Sequence, residues 1–429
     1  MDVSVEKLPK SLVKLTVELD VDEVQPYLDA AAHDLSKEHP VKGFRPGSVP
    51  FEAMRSVVGD QTLAEKALQQ IVPKTYVQTL MEREDIEAIG RPEVMARNVA
   101  LGQPWKYEAT VAVLPEVHLG GYQNIRGEKR ELVVESQDVE RELETLQKMR
   151  ASYLTVPRPA QKGDRADVDI QATVENVPLE QGSATNQPIL LGDGHLVPGF
   201  EEQILGMCGC ETKTFTIAFP QHHHQPNLRG RTVQFTVTVN VVQQRILPTV
   251  DDTFAQGVGK FSGLQDLREK LTANIRVEKE EKEHQRLQVD LLNQVVKTTT
   301  FGEFPDILVE GEVDKMLSEL QEGLGATGLS LDEYLQQIHK TADEVRAGFR
   351  PQALDRIRAG LTLRAIAKAE HVEVSDEEVT EEIQKVLQQF PDVEEAKKRV
   401  DLEELTGMAT GTIRNRKAFA LLEKFAGVG

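Results

Sequence analysis

The sequence predicts a multidomain α+β protein: a small α+β N-terminal domain, an antiparallel β domain with a short helix, and an all-α C-terminal domain. Three observations predict this order. Apolar and polar residues alternate along LVKLTVEL (12–19) and WKYEATVAV (105–113), which enclose helical patterns. The clearest alternation in the chain lies in KTFTIAF (213–219) and VQFTVTVNV (233–241). Helix periodicity then dominates residues 247–429.

The size and charge of the chain exclude several classes of protein. Its 429 residues suffice for roughly three domains of ordinary size. The net charge of −20, from 70 acidic and 50 basic residues, argues against a general nucleic-acid binder, which would carry a basic face. Two cysteines cannot build a disulfide framework, which favours a reducing compartment. Because no apolar signal core and no 18-residue apolar run occur, we expect a cytoplasmic protein without membrane contact.

Two helices are predicted within the N-terminal domain, residues 1–115. The first has an apolar stripe formed by Val24, Leu28, Ala31 and Leu35. Pro26 is expected in its first turn, where proline is tolerated, and the helix should end near Pro40. The second helix runs from about Phe51 to Met81, with breaks expected at Gly59 and at Pro73.

The stretch VKGFRPGSVP (41–50) joins these two helices. Its density of glycine and proline excludes both a helix interior and a central strand. Phe44 therefore lies in a loop beside the cationic Arg45, where an apolar ring is hard to bury. Two interpretations remain open at this point. The ring folds back onto its own helices, or it is displayed to another surface.

A connector and a β-rich segment follow. Residues 116–150 are predicted to be the connector, with an extended, turn-rich start and a helix from Ser136 to Met149. The apolar stripe of this helix is formed by Val139, Leu143 and Leu146. Residues 151–246 are predicted to form a compact antiparallel domain, in which the loop FPQHHHQPNLRG joins the two clearest strands.

The C-terminal segment, residues 247–429, is helical by pattern. Three helix starts carry a capping box, in which a hydroxyl and a carboxylate three residues apart satisfy N–H groups that lack helical partners. These pairs are Ser330 with Glu333, Thr341 with Glu344, and Ser375 with Glu378. The segment holds 24 basic and 35 acidic residues, so more than half of the net negative charge lies here. Its apolar stripes are too broken for a single compact bundle.

Motifs for nucleotide, protease or calcium chemistry are missing from the sequence. GVGKFSG, from Gly257, resembles a phosphate-binding loop but does not meet the GxxxxGK[ST] spacing. HExxH, GxSxG and EF-hand patterns are also missing. The sequence therefore predicts a protein that needs neither ATP nor a cofactor.

Cys208 and Cys210 form a CxC motif, with His222, His223 and His224 downstream. Thiolates and imidazoles are types of ligand that bind zinc and copper in proteins. The alternative is a tight β-turn with buried small cysteines, followed by a polar loop. We favour the turn and predict no metal site, because CxC holds its sulfurs too close for the usual spacing of structural zinc.

The segment LLGDGHLVPGFEEQILGM (190–207) combines a glycine-rich turn with a short amphipathic helix. It resembles the FK506-binding-protein type of prolyl isomerase, whose pocket floor lies at the start of such a helix. The downstream NLRG and VQFTVTV also fit that pattern. The resemblance implies an FKBP-like fold for residues 151–246, and a pocket lined by Val197, Phe200 and Phe235.

The match to this isomerase type weakens elsewhere in the pocket. Ile170 stands where the family has an aromatic residue, and Leu179 precedes Glu180 where a phenylalanine is expected. Gln187 replaces another aromatic residue, and His223 takes the place of the loop tyrosine. The resemblance therefore implies a pocket with fewer aromatic side chains and weak isomerase activity.

The loop between the first two helices is similar to a known signature. Gly43, Phe44, Arg45, Gly47 and Pro50 match the ribosome-binding motif of the trigger factor family. The order of the four segments matches that family too. The resemblance implies docking at the exit-tunnel protein and rRNA of the ribosome, and a homodimer when the chain is off the ribosome.

Two positions of this loop depart from the family pattern. Pro46 and Ser48 stand where basic residues are usual, and residues 37–55 carry a local net charge of only +2. We therefore expect ribosome binding that is weak and sensitive to salt.

The trigger factor resemblance also implies that the C-terminal helices form a body with two arms around a cradle for nascent and unfolded chains. The candidate lining residues are Ile307, Leu308, Met316, Leu317, Leu320, Leu324 and Phe349. Ordinary packing between helices is the alternative for each of them.

Two further hypotheses remain open beside the ribosome-associated chaperone. One is a free prolyl isomerase whose helices recruit substrate. The other is a metal-handling protein that uses the cysteines and histidines.

Overall fold

The computed structural model describes residues 1–39, 41, 44–45, 49–83, 85–174, 177–194, 196–219, 230–326, 328–388 and 401–428. The chain divides into two compact units. The first unit comprises Met1–Gly127, Gln288–Leu320 and Arg346–Gly429, and the second comprises Glu128–Leu287 and Gln321–Val345. The helical segment 247–429 contributes to both units, and the division of the sequence into four functional segments stays a prediction.

A four-stranded antiparallel sheet opens the first unit. Its strands are β1 (Asp2–Leu8), β2 (Leu12–Leu19), β3 (Ala88–Asn98) and β4 (Trp105–Val113), in the order β1-β2-β4-β3. Strands β2 and β4 have the predicted bounds, whereas the two edge strands were not predicted. The alternating apolar side chains of β2 are buried, so one face of the sheet forms a core.

Two helices cover that face of the sheet. Helix α1 (Val21–Glu38) buries the predicted stripe, and helix α2 (Phe51–Glu82) packs beside it. Gly59 has φ +82° and ψ +165°, which breaks α2 into two helical pieces as predicted, whereas Pro73 does not interrupt it. The prediction for Pro26 was wrong, because it is the sixth residue of α1 and not part of its first turn. Its side chain is exposed, so the carbonyl group left without an N–H partner is on the solvent side of the helix.

Short strands and helices complete the first unit. Strand β5 (Val117–His118) pairs with β11 (Thr300–Phe301), and a 3₁₀ turn spans Tyr122–Asn124. Helices α7 (Asp306–Ala326) and α9 (Ala342–Ala369) pack through a core that includes Val309, Ile357 and Leu361. Helices α10 (Asp376–Leu387) and α11 (Leu402–Phe425) pack through Val379, Ala409 and Ile413.

The second unit contains a five-stranded antiparallel sheet. Its strands are β6 (Ser152–Thr155), β7 (Arg165–Val174), β8 (Val177–Leu190), β9 (Glu211–Ala218) and β10 (Thr232–Ile246). The long β10 is central, with β7 on one side and both β6 and β9 on the other. The short helix α4 (Phe200–Ile204) packs on the buried face of this sheet.

The connector helix α3 (Ser136–Met149) has the predicted bounds and belongs to a helical core of the second unit. Val139 and Leu143 pack against residues of α5 (Asp252–Val258) and α6 (Leu264–Thr298). Helix α8 (Leu331–Ile338) also lies in this unit. All three predicted capping boxes form, including those at the starts of α8 and α10.

Candidate functional site

The floor of the candidate pocket in the second unit is a cluster of phenylalanine rings. Gly199 has φ +89°, a left-handed conformation that suits glycine, and it caps the start of α4. Phe200 is consequently the first residue of the helix and is only 3% exposed. Its ring meets Phe235 of β10 edge-on, with ring centroids 5.1 Å apart. Such edge-to-face pairs contribute stability beyond their buried area.

Two further rings complete this floor, and neither was predicted as a site residue. Phe215 stacks on Phe235 with centroids 5.9 Å apart, and Phe219 does so at 6.2 Å. Phe215 lies on β9 directly opposite Phe235, and Phe219 directly follows the end of β9. The alternation of KTFTIAF placed these rings on one face of a strand, and only the register of β9 on β10 could assign that face to the pocket.

The structure brings most of the predicted pocket residues together. Ile170, Leu179 and Val197 are partly buried and pack against the same core as Phe200 and Phe235. His223 and the side chain of Glu180 lie outside the described residues. Gln187 is exposed. Apart from Gln187, the described side chains of this set therefore lie in or against one apolar core.

Hydrogen bonds of two carboxylates tie the glycine-rich turn to α4 and join strands β7, β8 and β10. A carboxylate oxygen of Glu201 accepts from the backbone N–H of Gly192 at 2.6 Å, which ties the glycine-rich turn to α4. Asp169 on β7 accepts from the Asn186 N–H at 2.7 Å and from the Asn240 amide at 2.9 Å. These donors favour the charged carboxylate and lower the pKa of Asp169 below its usual value.

Apolar side chains anchor both ends of the loop between α1 and α2, and other side chains of this loop are exposed to solvent. Val49 is buried, and Val41 packs beside it, in a cluster that Ala32, Leu35, Met54 and Leu63 complete. Phe44 is 44% exposed, and its N–H donates to the Val41 carbonyl at 3.2 Å. Arg45 and Pro50 are exposed, and Pro50 caps the start of α2. Gly43 and Gly47 lie outside the described residues.

The predicted client-binding residues differ in exposure. Ile307 is 47% exposed, and it approaches the backbone of Gly90 on strand β3. Met316 is 4% exposed and packs in a cluster that Leu317 and Phe349 also contact. The other candidates are half-buried, and they are Leu308, Leu320 and Leu324. Ile307 is therefore the member of the set with the most exposed apolar surface.

A groove of about 610 Å³ lies in the first unit, beside strands β1 and β5 and helix α9. Apolar side chains form much of its wall, and they include Leu8, Leu12, Ile86, Leu114 and Leu361. Ion pairs between Lys7 and Glu116 and between Arg364 and Glu87 also line it. The groove has room for an apolar side chain of a bound polypeptide.

The candidate metal ligands are only partly described. Cys208 and Cys210 are free and exposed, so the expectation that the turn buries them was wrong. His222, His223 and His224 lie outside the described residues. Within the described part of the chain, no group of three or more histidine, cysteine or acidic side chains could hold a metal ion. None of the described helices combines the length and the apolar character that a membrane span requires.

Models of known protein families match most of the chain. The family model described as "Bacterial trigger factor protein (TF)" matches residues 1–146, and the model of its C-terminus matches residues 263–424. The model described as "FKBP-type peptidyl-prolyl cis-trans isomerase" matches residues 156–240. The predicted FKBP-like fold of the middle domain is thereby confirmed.

Two curated relatives are similar over nearly their whole length. The protein named trigger factor of Pelotomaculum thermopropionicum is 32% identical over 426 residues, which cover 99% of this chain and 97% of that protein. The trigger factor of Carboxydothermus hydrogenoformans is 33% identical over 424 residues, which cover 99% of both chains.

A solved structure shares the fold. It is described as "Promiscuous Substrate Recognition in Folding and Assembly Activities of the Trigger Factor Chaperone", and the match covers 99% of both chains. The TM-score is 0.51 at 21% sequence identity, a likeness that supports the predicted fold class.

Proposed function

The chain belongs to the trigger factor family, and from that premise we propose that it is an ATP-independent chaperone that docks at the ribosome. It holds nascent or unfolded polypeptides and carries a prolyl isomerase site in its FKBP-type domain. Its partners are the exit-tunnel protein, rRNA and unfolded chains, which places its work in the cytoplasm. Off the ribosome, it forms a homodimer.

The exposed pair of Phe44 and Arg45 is the observation that carries the docking proposal. The hydrophobic cluster around Val41 and Val49 holds both ends of the loop, so the ring and the cation are presented to solvent. A displayed ring gives apolar contact to a protein surface. The guanidinium adds pairing with phosphate or with acidic side chains.

The isomerase proposal rests on the apolar floor around Phe200 and Phe235. Rotation about a peptide bond loses resonance, against a barrier of ~18–20 kcal/mol. The twisted amide is less polar than the planar one, so a dry aromatic floor favours it by desolvation and shape. This chemistry requires no acid, base or metal from the chain.

Client holding would use exposed apolar surface on the helices. Ile307 and the groove beside α9 offer such surface, and the acidic exterior keeps the loaded protein in solution. Flexible leucine and methionine side chains can adapt to different clients. Because no nucleotide motif is present in the sequence, clients leave by dissociation.

Ribosome co-sedimentation tests the docking proposal. The double substitution of Phe44→Ala with Arg45→Ala should reduce binding at least tenfold, whereas Met81→Ala, 77% exposed on α2, should not change it. Arg45→Ala alone should lower the salt dependence of binding by about one counterion, because one cationic contact is lost. Unchanged co-sedimentation of the double variant would overturn the proposal.

Suppression of client aggregation separates this function from that of a free prolyl isomerase whose helices recruit substrate. The full chain is compared with a variant that lacks residues 151–246. Retained protection supports the chaperone proposal. Loss of protection by the deletion variant would favour the isomerase-first alternative.

A further inference from the structure

Both cysteines of the chain lie in one exposed turn, and neither proposed activity uses them. The chain has only two cysteines, Cys208 and Cys210, and a single glycine separates them. Both thiols are free and exposed. They lie after α4 and immediately before β9.

Three hydrogen bonds define the turn that carries them. The Glu211 N–H donates to the Cys208 carbonyl at 3.2 Å, which closes a four-residue β-turn. The Cys210 N–H donates to the Val239 carbonyl at 2.6 Å, and the Cys208 N–H donates to the Glu211 carboxylate at 2.8 Å. The thiols are therefore attached to a backbone that strand β10 holds in place.

The backbone of Cys210 adopts an unusual conformation. Its φ is +64°, a left-handed value that non-glycine residues adopt infrequently. In an extended chain the Cα atoms of residues two apart are separated by at most ~7 Å, and a β-turn shortens that separation. Disulfides join Cα atoms that are usually 4.4–6.8 Å apart. The turn thus holds the two cysteines within bridging distance.

We propose that Cys208 and Cys210 form a reversible dithiol–disulfide pair that exchanges with disulfides of small thiols and of unfolded chains. One cysteine thiolate attacks a sulfur of the incoming disulfide and forms a mixed disulfide with it. The other sulfur of that incoming disulfide leaves as a thiolate and takes up a proton. The second cysteine, as its thiolate, then attacks the Sγ atom of the first cysteine, which forms the Cys208–Cys210 bond, and the bound thiol leaves as a thiolate that takes up a proton. Two protein thiols are oxidised, and the incoming disulfide is reduced to two thiols.

The short spacing distinguishes such a pair from a structural disulfide. A bridge over one intervening residue closes a very small loop, so it restricts the unfolded chain little and contributes little stability. A strained, exposed bridge is also easily reduced, which is characteristic of disulfides that exchange. The pair therefore suits thiol chemistry better than it suits stapling the fold.

The position of the turn gives it access to bound clients. Glu211 lies beside the turn, and Phe215, on the same strand β9, lies in the pocket floor. At ~3.4 Å per residue, about 14 Å separates these two residues. A client held at that floor could place a cysteine at the turn about four extended residues away. This step rests on the isomerase proposal, whereas exchange with glutathione disulfide does not.

Mass spectrometry of the full reduced chain with glutathione disulfide tests the first arm. The wild type should lose two hydrogen atoms, and the bond should map to one peptide that contains both cysteines. Cys208→Ser and Cys210→Ser should each stop at a mixed disulfide with one glutathione. Two glutathione adducts on the wild type, or disulfide-linked dimers in place of the internal bond, would overturn the proposal.

Reshuffling of a scrambled-disulfide, unfolded protein tests the second arm. The wild type should accelerate exchange at least tenfold over the matched double variant of Cys208→Ser with Cys210→Ser. If the glutathione arm succeeds and this arm shows equal rates, exchange with protein chains is refuted and the pair serves small disulfides alone. Isomerase activity of the same samples shows whether the pocket proposal has failed separately.

Discussion

The ring of Phe200 stands edge-on against the ring of Phe235, with centroids 5.1 Å apart and planes 86° to each other. One ring comes from helix α4 and the other from strand β10. Phe235 also stacks on Phe215 of the neighbouring strand β9 and on Phe219, which follows that strand. It is therefore at the centre of the apolar floor, where a change of shape would affect every other ring.

Phe235→Leu should reduce prolyl isomerase activity at least tenfold in kcat/KM. The substitution keeps an apolar side chain but removes the ring that organises the floor. It should also lower the free energy of unfolding of this domain by roughly 1–3 kcal/mol. A protease-coupled prolyl peptide assay and denaturant unfolding measure the two effects.

Ile189→Val is the matched control for this substitution. Ile189 is buried in the same core but lies on β8, which pairs with β7 and not with the ring-bearing strand β10. The variant should lose about 0.5–1.5 kcal/mol of stability and keep its activity. If both variants lose activity in proportion to stability, the floor has no specific role in catalysis.

Gly59→Ala should destabilise the N-terminal domain by about 1–3 kcal/mol, because φ +82° with ψ +165° is a conformation that essentially only glycine adopts. No atom lies near an added Cβ at this position, so strain in the backbone is the expected cause. Gly311→Ala, at an open position inside α7, is the control and should stabilise by ~0.4–1 kcal/mol. Chemical unfolding measures both, and equal signs would contradict the argument.

The sequence predicted those helices, strands and helix caps that are determined by residues close together in the chain. The bounds of α3 and of strands β2 and β4 followed from periodicity, and the capping boxes followed from a hydroxyl and a glutamate three residues apart. Strand β3 was missed because Gly90 and Pro92 are typical strand breakers. It is an edge strand, and its pairing with β4 shifts between Ile89 and Glu93, so the proline removes no essential bond.

The pocket was only half predictable for a different reason. Phe200 and Phe235 could be chosen from a sequence motif, whereas Phe215 joins them through the register of β9 on β10, and Phe219 through its position directly after β9. That register depends on pairing across the sheet, which the local alternation does not specify. Likewise, the sequence could not distinguish the exposed Ile307 from the buried Met316, because both lie on α7 and their exposure depends on distant packing.

Glu283 on α6 should make the stability of the second unit depend on pH below about 4.5. Its carboxylate accepts from the Arg286 guanidinium at 2.7 Å and from the Arg130 N–H at 2.8 Å, which lowers its pKa from 4.5 to about 2. Because the folded state holds the lower pKa, this stabilisation is complete above pH 4.5 and is lost as the pH falls towards 2.

Denaturant unfolding of Glu283→Gln tests this pH dependence. The stability advantage of the wild type over the variant should be constant near neutral pH and should shrink between pH 4.5 and 2. Glu281→Gln removes an exposed carboxylate of the same helix and serves as the control. A wild-type advantage that persists unchanged at pH 2 would show that the contacts of Glu283 do not depend on its charge.

Ile307→Ser should weaken client holding by about fivefold in Kd. The side chain is 47% exposed, and burying that apolar surface against a client contributes roughly 1 kcal/mol. Val289→Ser, at a 58% exposed position on α6 outside the predicted client set, is the matched control and should leave binding unchanged. Fluorescence titration of a labelled unfolded client measures both values of Kd. Equal losses in the two variants would mean that clients respond to exposed apolar surface in general, and the assignment of Ile307 to a client site would be wrong.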